Sequence, residues 1–204
     1  MTNVKRTRRK AARPEEIIDA ALAEFAEVGY SAASMARIAA RAGIARSTIY
    51  LYYADKEALI SAAFEARLGE AFAAAGQGAA LSSGPFREVF HEMLTLLYRR
   101  IVKSEALVLL KVLVAEGAQF PQLLARYHDT ALKAAMTMLN SVLKQGLARG
   151  ELRNDVLDYD MKLVMSPVML AAIWHLTFQE LDPIELERYI EGHVTFICDG
   201  ILTR

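Results

Sequence analysis

Two glycines, Gly29 and Gly43, cut the stretch after Pro14 into short helical pieces, and that punctuation is what most limits the fold. Ile18, Ala21, Leu22 and Phe25 recur at the three- and four-residue spacing of one helix face. Gly29 supplies the stop, and Ser34 can cap a second helix whose Met35, Ile38, Ala39 and Ala42 face inward. Gly43 ends that helix almost at once. A third short helix is expected over about 46–52, and Asp55 caps a fourth that starts at Lys56 and reaches about residue 75.

The rest of the 204 residues continue in the same manner. Ala, Leu, Glu, Lys and Arg dominate, Gly and Pro are few, and no β-branched alternation reads as a strand pair. The chain is therefore expected to be all-α: a three-helix head followed by an antiparallel bundle of about six helices. GQGAALSSGP (76–85) has the composition of a linker. Further helices are expected over about 85–103, 104–117 and 121–148, then 157–180 and 183–202. The 157–180 helix is apolar nearly all round, so it should be enclosed on several sides, with Pro167 kinking it. Asp182-Pro183 should start the last helix. The sequence-based domains are a basic disordered arm (1–13), a domain of short helices (14–55) and a second domain (56–204).

Net charge is zero, but residues 1–56 carry ten Lys/Arg against six Asp/Glu. A basic first quarter on an acidic remainder suits a polyanionic partner, although six of those cations lie in residues 5–13, as in any solvated basic tail. Short helices around a glycine turn fit a helix-turn-helix, whose second helix, here 45–53, would enter the major groove. Ile44 and Ile49 would anchor it, leaving Arg46, Ser47, Thr48, Tyr50, Leu51 and Tyr52 outward or sideways. Arg37 and Arg41 read as solvated charges on the preceding helix.

FAEVGYSAASMARIAARAGIARSTIYLYYADKEALI (25–60) closely resembles the DNA-binding domain of the TetR/AcrR family of transcriptional regulators. The G-Y pair, the S-M-x-x-I-A-x-x-A-G-I turn, the T-x-Y-x-Y-Y helix and the D-K-E-A-L start all fall in family order. The resemblance implies phosphate contacts from Ser34, Tyr50 and Lys56, and groove-facing roles for Arg46, Ser47 and Thr48. Tyr52 stands where a histidine is frequent, and Tyr53 where a phenylalanine packs inward. Ala33 and Ala45 depart from the pattern, and Ala45 forgoes a helix cap worth about 1 kcal/mol. Segment 115–129 also resembles a C-terminal domain of one branch of the family.

What the resemblance implies for the remainder is a homodimer through helices 157–180 and 183–202, reading a near-palindromic stretch of double-stranded DNA. It also implies a pocket for an unidentified small-molecule ligand that releases a repressor from its operator. Candidates for the pocket, by apolar or aromatic character, are Met93, Tyr98, Met136, Met165, Trp174, His175 and Phe178. A helical scaffold protein without specific DNA binding is the alternative. Enzyme constellations are missing from the sequence: no G-x-S-x-G, no H-E-x-x-H, and one E-x-x-H (Glu88, His91) where a helical di-iron site needs two. No catalytic residue, metal or cofactor is expected. Cys198, the single cysteine, reads as a small buried hydrophobe of a reducing, cytoplasmic setting. The run 163–179 is too short and too broken by Pro167, His175 and Gln179 to span a bilayer.

Overall fold

The computed structural model describes residues 2–102 and 105–203. Among them there is no β-strand beyond one isolated antiparallel bridge, Leu152 to Leu202. The helices are α1 (Thr2–Ala32), α2 (Met35–Arg41), α3 (Arg46–Ile49), α4 (Lys56–Phe64), α5 (Glu70–Leu81), α6 (Phe86–Val102), α7 (Ala106–Glu116), α8 (Pro121–Tyr127), α9 (Lys133–Ala148), α10 (Lys162–Thr177) and α11 (Leu186–Ile201). π-helical turns over Glu65–Gly69 and His128–Leu132 join α4 to α5 and α8 to α9. The chain forms two compact units: Met1–Phe64 with Val108–Tyr127, and Glu65–Leu107 with His128–Arg204.

These boundaries correct the sequence-based ones. Residues 2–13, within the arm expected to be disordered over 1–13, are the first part of α1, and Pro14 lies inside that helix rather than at its start. Lys, Arg and Ala are strong helix formers, and Pro14 removes one hydrogen bond from the run. The first compact unit runs past residue 55, to Phe64, and takes in Val108–Tyr127. α4 packs on α1 and buries Leu59, Ile60, Ala63 and Phe64, and α8 packs on α4 with Tyr127 5.5 Å from the Phe64 ring.

In the second unit α6 is the spine. Phe86, Val89, Phe90, Met93, Leu94, Leu97, Tyr98 and Ile101 are all buried at helical spacing. α5, α10 and α11 pack on it, and α5 also packs on α9. The supposed linker 76–85 is helix as far as Leu81, and its Gly76 serves packing rather than flexibility. A Cβ on Gly76 would come within 2.9 Å of Met138 Cγ, so the α5–α9 approach requires glycine there. Glu151 accepts from the Phe86 N–H at 2.5 Å, placing a carboxylate at the positive end of α6, while Arg149 donates to the carbonyls of Ser82 and Gly84.

α10 is shorter than expected and continues through Pro167. The Leu163 carbonyl, deprived of its donor by the proline, accepts from Ser166 Oγ at 3.0 Å. The last helix starts at Leu186, not at Pro183. Its cap is Glu185, whose carboxylate accepts from the Arg188 N–H at 2.8 Å. Within the chain α10 is not enclosed on several sides: Leu163 (63%), Leu170 (52%) and Ile173 (38%) stay exposed. Beneath α11, buried His193 shares a 3.0 Å hydrogen bond between its Nδ1 and the Tyr98 hydroxyl. Burial holds the His193 pKa down at about 4 and raises that of Cys198 to about 11, so the imidazole is neutral and the sulfur a thiol near pH 7.

Two measurements check this packing. Gly146→Ala sets a Cβ 2.7 Å from both Leu152 Cδ1 and Phe86 Cδ2, and should cost about 1–3 kcal/mol in urea unfolding. Gly78→Ala, in the same helix as Gly76 but facing open space, should stabilise by about 0.5–1 kcal/mol. His193 also sets a pH dependence. Its folded pKa lies below the unfolded 6.5, so unfolding takes up a proton and stability falls as pH drops from 6.5 towards 4, by up to about 1.4 kcal/mol per pH unit. His193→Phe should flatten that limb in denaturation curves taken across the range.

Candidate nucleic-acid interface

Ser34, with extended backbone (φ −134°), caps α2 by accepting from the Arg37 N–H at 3.3 Å. Gly43, at φ +66°, makes the turn that a side chain would strain. α3 follows with Ala45 at its cap and no side-chain hydrogen bond there. Ile49 is fully buried and anchors it. Arg46, Ser47 and Tyr50 are exposed, and Ser34, Thr48 and Tyr52 are half-buried. Arg46, Ser47, Tyr50 and Leu51 share one outward face of α3 and the turn extending it. Tyr53 turns inward, its hydroxyl 3.4 Å from the Pro14 carbonyl, and burial raises its pKa.

Arg37 and Arg41 are not plain solvated charges. Glu24 on α1 is 1% exposed and takes both guanidinium groups, Arg37 Nε at 2.6 Å and Arg41 at 3.3 Å. Arg41 also pairs with Glu27. A buried carboxylate needs such partners, so these arginines fix α2 on α1.

Lys56 Nζ donates to the carbonyls of Tyr30 (2.5 Å), Ser31 (3.1 Å) and Ala33 (2.9 Å), and sits 4.5 Å from the Tyr30 ring centroid. Its three donors are thereby engaged, and burial lowers its pKa. Opposite it, Glu116 on α7 accepts from the N–H groups of Tyr30 (2.6 Å) and Ser31 (2.7 Å). Gly29, at φ +79°, lets the carboxylate approach, since a Cβ there would lie 2.9 Å from Glu116 Oε1. Burial and the carboxylates of Glu57, Asp55 and Glu116 push the Tyr30 phenol up to about 12. The Tyr30 ring packs edge-on against Phe120 at 5.1 Å. Sequence reading missed Glu116, because its partners lie 85 and 86 residues away and no local pattern marks it.

The seven pocket candidates all lie in the second unit, at different depths. Met93, Tyr98 and Met165 are buried in the core, and Met136 is half-buried. The Trp174 indole donates to the Asp182 carbonyl at 2.6 Å and lies 4.9 Å from the exposed Phe178 ring. His175 lines a cleft of about 410 Å³ with Val102, Gln179 and Pro183. A larger apolar cleft of about 640 Å³ lies between Pro167 and the α11 face bearing Arg188, Gly192 and Phe196. No group of three or more potential metal ligands occurs among the described residues, and no described helix is long and apolar enough to cross a membrane.

A helix-turn-helix with an exposed Arg–Ser–Tyr face, joined to a separate helical unit, defines a DNA-binding transcriptional regulator. The chain belongs to the tetR family of bacterial regulatory proteins, whose model matches residues 17–63, while residues 88–199 match the C-terminal domain of AefR-like transcriptional repressors. This is a family of regulators rather than enzymes. The chain is 24% identical over 188 residues to the fatty acid metabolism regulator protein of Bacillus subtilis (strain 168), covering 89% of this chain and 94% of that protein. Its fold is similar to that of the fatty acid degradation regulator FadR from Bacillus halodurans (TM-score 0.76, 19% identity, 92% and 95% of the two chains). It is also similar to that of FadR from Bacillus subtilis in complex with stearoyl-CoA (TM-score 0.66, 22% identity, 89% and 97%).

The grip on residues 29–33 can be measured. Glu116→Ala leaves the N–H groups of Tyr30 and Ser31 without their acceptor and should lower unfolding stability by about 1–3 kcal/mol in urea. Lys144→Ala, at an exposed position, should stay within about 0.5 kcal/mol.

Proposed function

We propose that the protein is a homodimeric repressor that holds a near-palindromic operator and releases it when a small molecule binds the second unit. The observation that carries the DNA-reading part is the outward face of α3, where Arg46, Ser47 and Tyr50 are exposed around a buried Ile49. In this reading Arg46, Ser47 and Thr48 address base edges, and Ser34, Tyr50 and Tyr52 address phosphates. Lys56 contributes positive field at the same face while its donors brace the Tyr30–Ala33 carbonyls. The setting is the cytoplasm, where bacterial DNA lies.

The dimer rests on the uncovered apolar faces of α10 and α11. Leu163, Leu170 and Ile173 on the first and Phe196 (85% exposed) on the second are exposed, Phe196 also lines the 640 Å³ cleft, and Leu181 (84%) lies between the helices along the chain. Gly192 has open space at its Cβ position, as a close-approaching partner helix requires. A second copy covering these faces sets two α3 helices one DNA turn apart, roughly 34–36 Å. Ligand then acts through its differential affinity for two arrangements of the dimer. Along the chain, α4 leads through a π-helical turn into the second unit, and α7 begins in it, so both can carry that difference to the reading head. The relative bound to stearoyl-CoA makes a long-chain acyl thioester the first ligand to try.

Selection of bound sequences from a random DNA pool should enrich a two-fold site, and affinity should fall steeply with salt as phosphate contacts release counterions. Tyr50→Phe should weaken binding to every sequence, whereas Arg46→Ala should change which base is preferred. A uniform loss for Arg46→Ala removes that residue from base reading. Phe196→Glu should give a monomer in analytical ultracentrifugation and abolish two-fold site binding. Stearoyl-CoA should release the DNA in a titration; DNA retained at saturating thioester removes that ligand class.

A further inference from the structure

We propose that Leu51 reads sequence, by seating its side chain against the C5-methyl group of a thymine in the operator's major groove; this rests on the DNA-binding reading above. Leu51 is 82% exposed, more than Val114 (66%) or Leu124 (42%) in the same unit. It follows Ser47 by four residues and Tyr50 by one, on the face already assigned to DNA. Its backbone is held: the Leu51 N–H donates to the Thr48 carbonyl (3.1 Å), and the next two N–H groups return to the Ile49 carbonyl (3.1 and 3.0 Å). With Ile49 fully buried beneath it, the side chain projects from a fixed point.

The chemistry selects the occupant. A leucine in water at this position does nothing for the fold. Its neighbours on the face, Arg46, Ser47 and the Tyr50 hydroxyl, are polar, so there is no broad apolar patch for a protein partner. What suits one apolar side chain among polar ones is one apolar group among polar ones. The thymine methyl is that group on the major-groove edge of B-DNA, and hydrogen-bonding side chains such as Arg46 and Ser47 cannot read it.

Deoxyuridine supplies the test, because it removes the methyl and leaves the base pair intact. In the site enriched from the random pool, each thymine is replaced singly and binding of the full-length protein is measured. Burial of one methyl is worth about fourfold in affinity, so the wild type should lose about that much at one thymine per half-site. Leu51→Ala should bind the thymine site more weakly and show no further loss with deoxyuridine at that position. Its melting temperature should match the wild type, because the side chain is exposed. If Leu51→Ala responds to every deoxyuridine as the wild type does, or if no thymine is sensitive, the assignment is overturned. Failure of the pool to enrich any sequence overturns the DNA-binding reading itself.

Discussion

The reading head depends on a grip of opposite charges around five residues. Segment 29–33 leaves α1 and enters α2, and its peptide groups are held from both sides: Glu116 takes the N–H groups of Tyr30 and Ser31, and Lys56 takes the carbonyls of Tyr30, Ser31 and Ala33. Each partly buried charge is satisfied by dipoles that would otherwise lack partners where the helix is broken at Gly29. Because Ser34 follows directly and caps α2, the grip also sets where α2 begins and hence where α3 is presented.

Elsewhere in the first unit the same economy recurs with fewer groups. Glu24, buried under Arg37 and Arg41, ties α2 to α1, and Ile49 ties α3 to what lies beneath it. α3 lacks a side-chain cap at Ala45, so its position relies on that anchor and on the Gly43 turn rather than on its own stability. A short helix held this way offers its whole outward face to a partner.

The second unit is built on α6, whose buried stripe is complete from Phe86 to Ile101, and on glycines that allow neighbouring helices to approach. Its remaining apolar surface, on α10 and α11, is left outside. That exposed surface suits the cover the proposed dimer supplies, so the dimer and the bundle interior have to be considered together. The polar pair Tyr98–His193 lies under that face, neutral and hydrogen-bonded, so the wall of the larger cleft carries one buried imidazole.

Local chemistry is what could be read from the sequence alone. Ser34 as a cap, Gly43 as a turn and Asp55 at the start of α4 all follow from residues close in the chain. The helical class, the helix-turn-helix and the family motifs over 25–60 follow with them. Tertiary contact decided the rest. Gly76 resembles a linker residue until Met138 is placed against it, Arg37 and Arg41 resemble surface charges until Glu24 is seen between them, and Glu116 carries no local signal at all. The burial of Met93 and Tyr98 is set by which helices meet, and a single sequence does not state that. Periodicity and caps act over a few residues along one helix; burial, ion pairing and close approach are properties of surfaces brought together from distant parts of the chain.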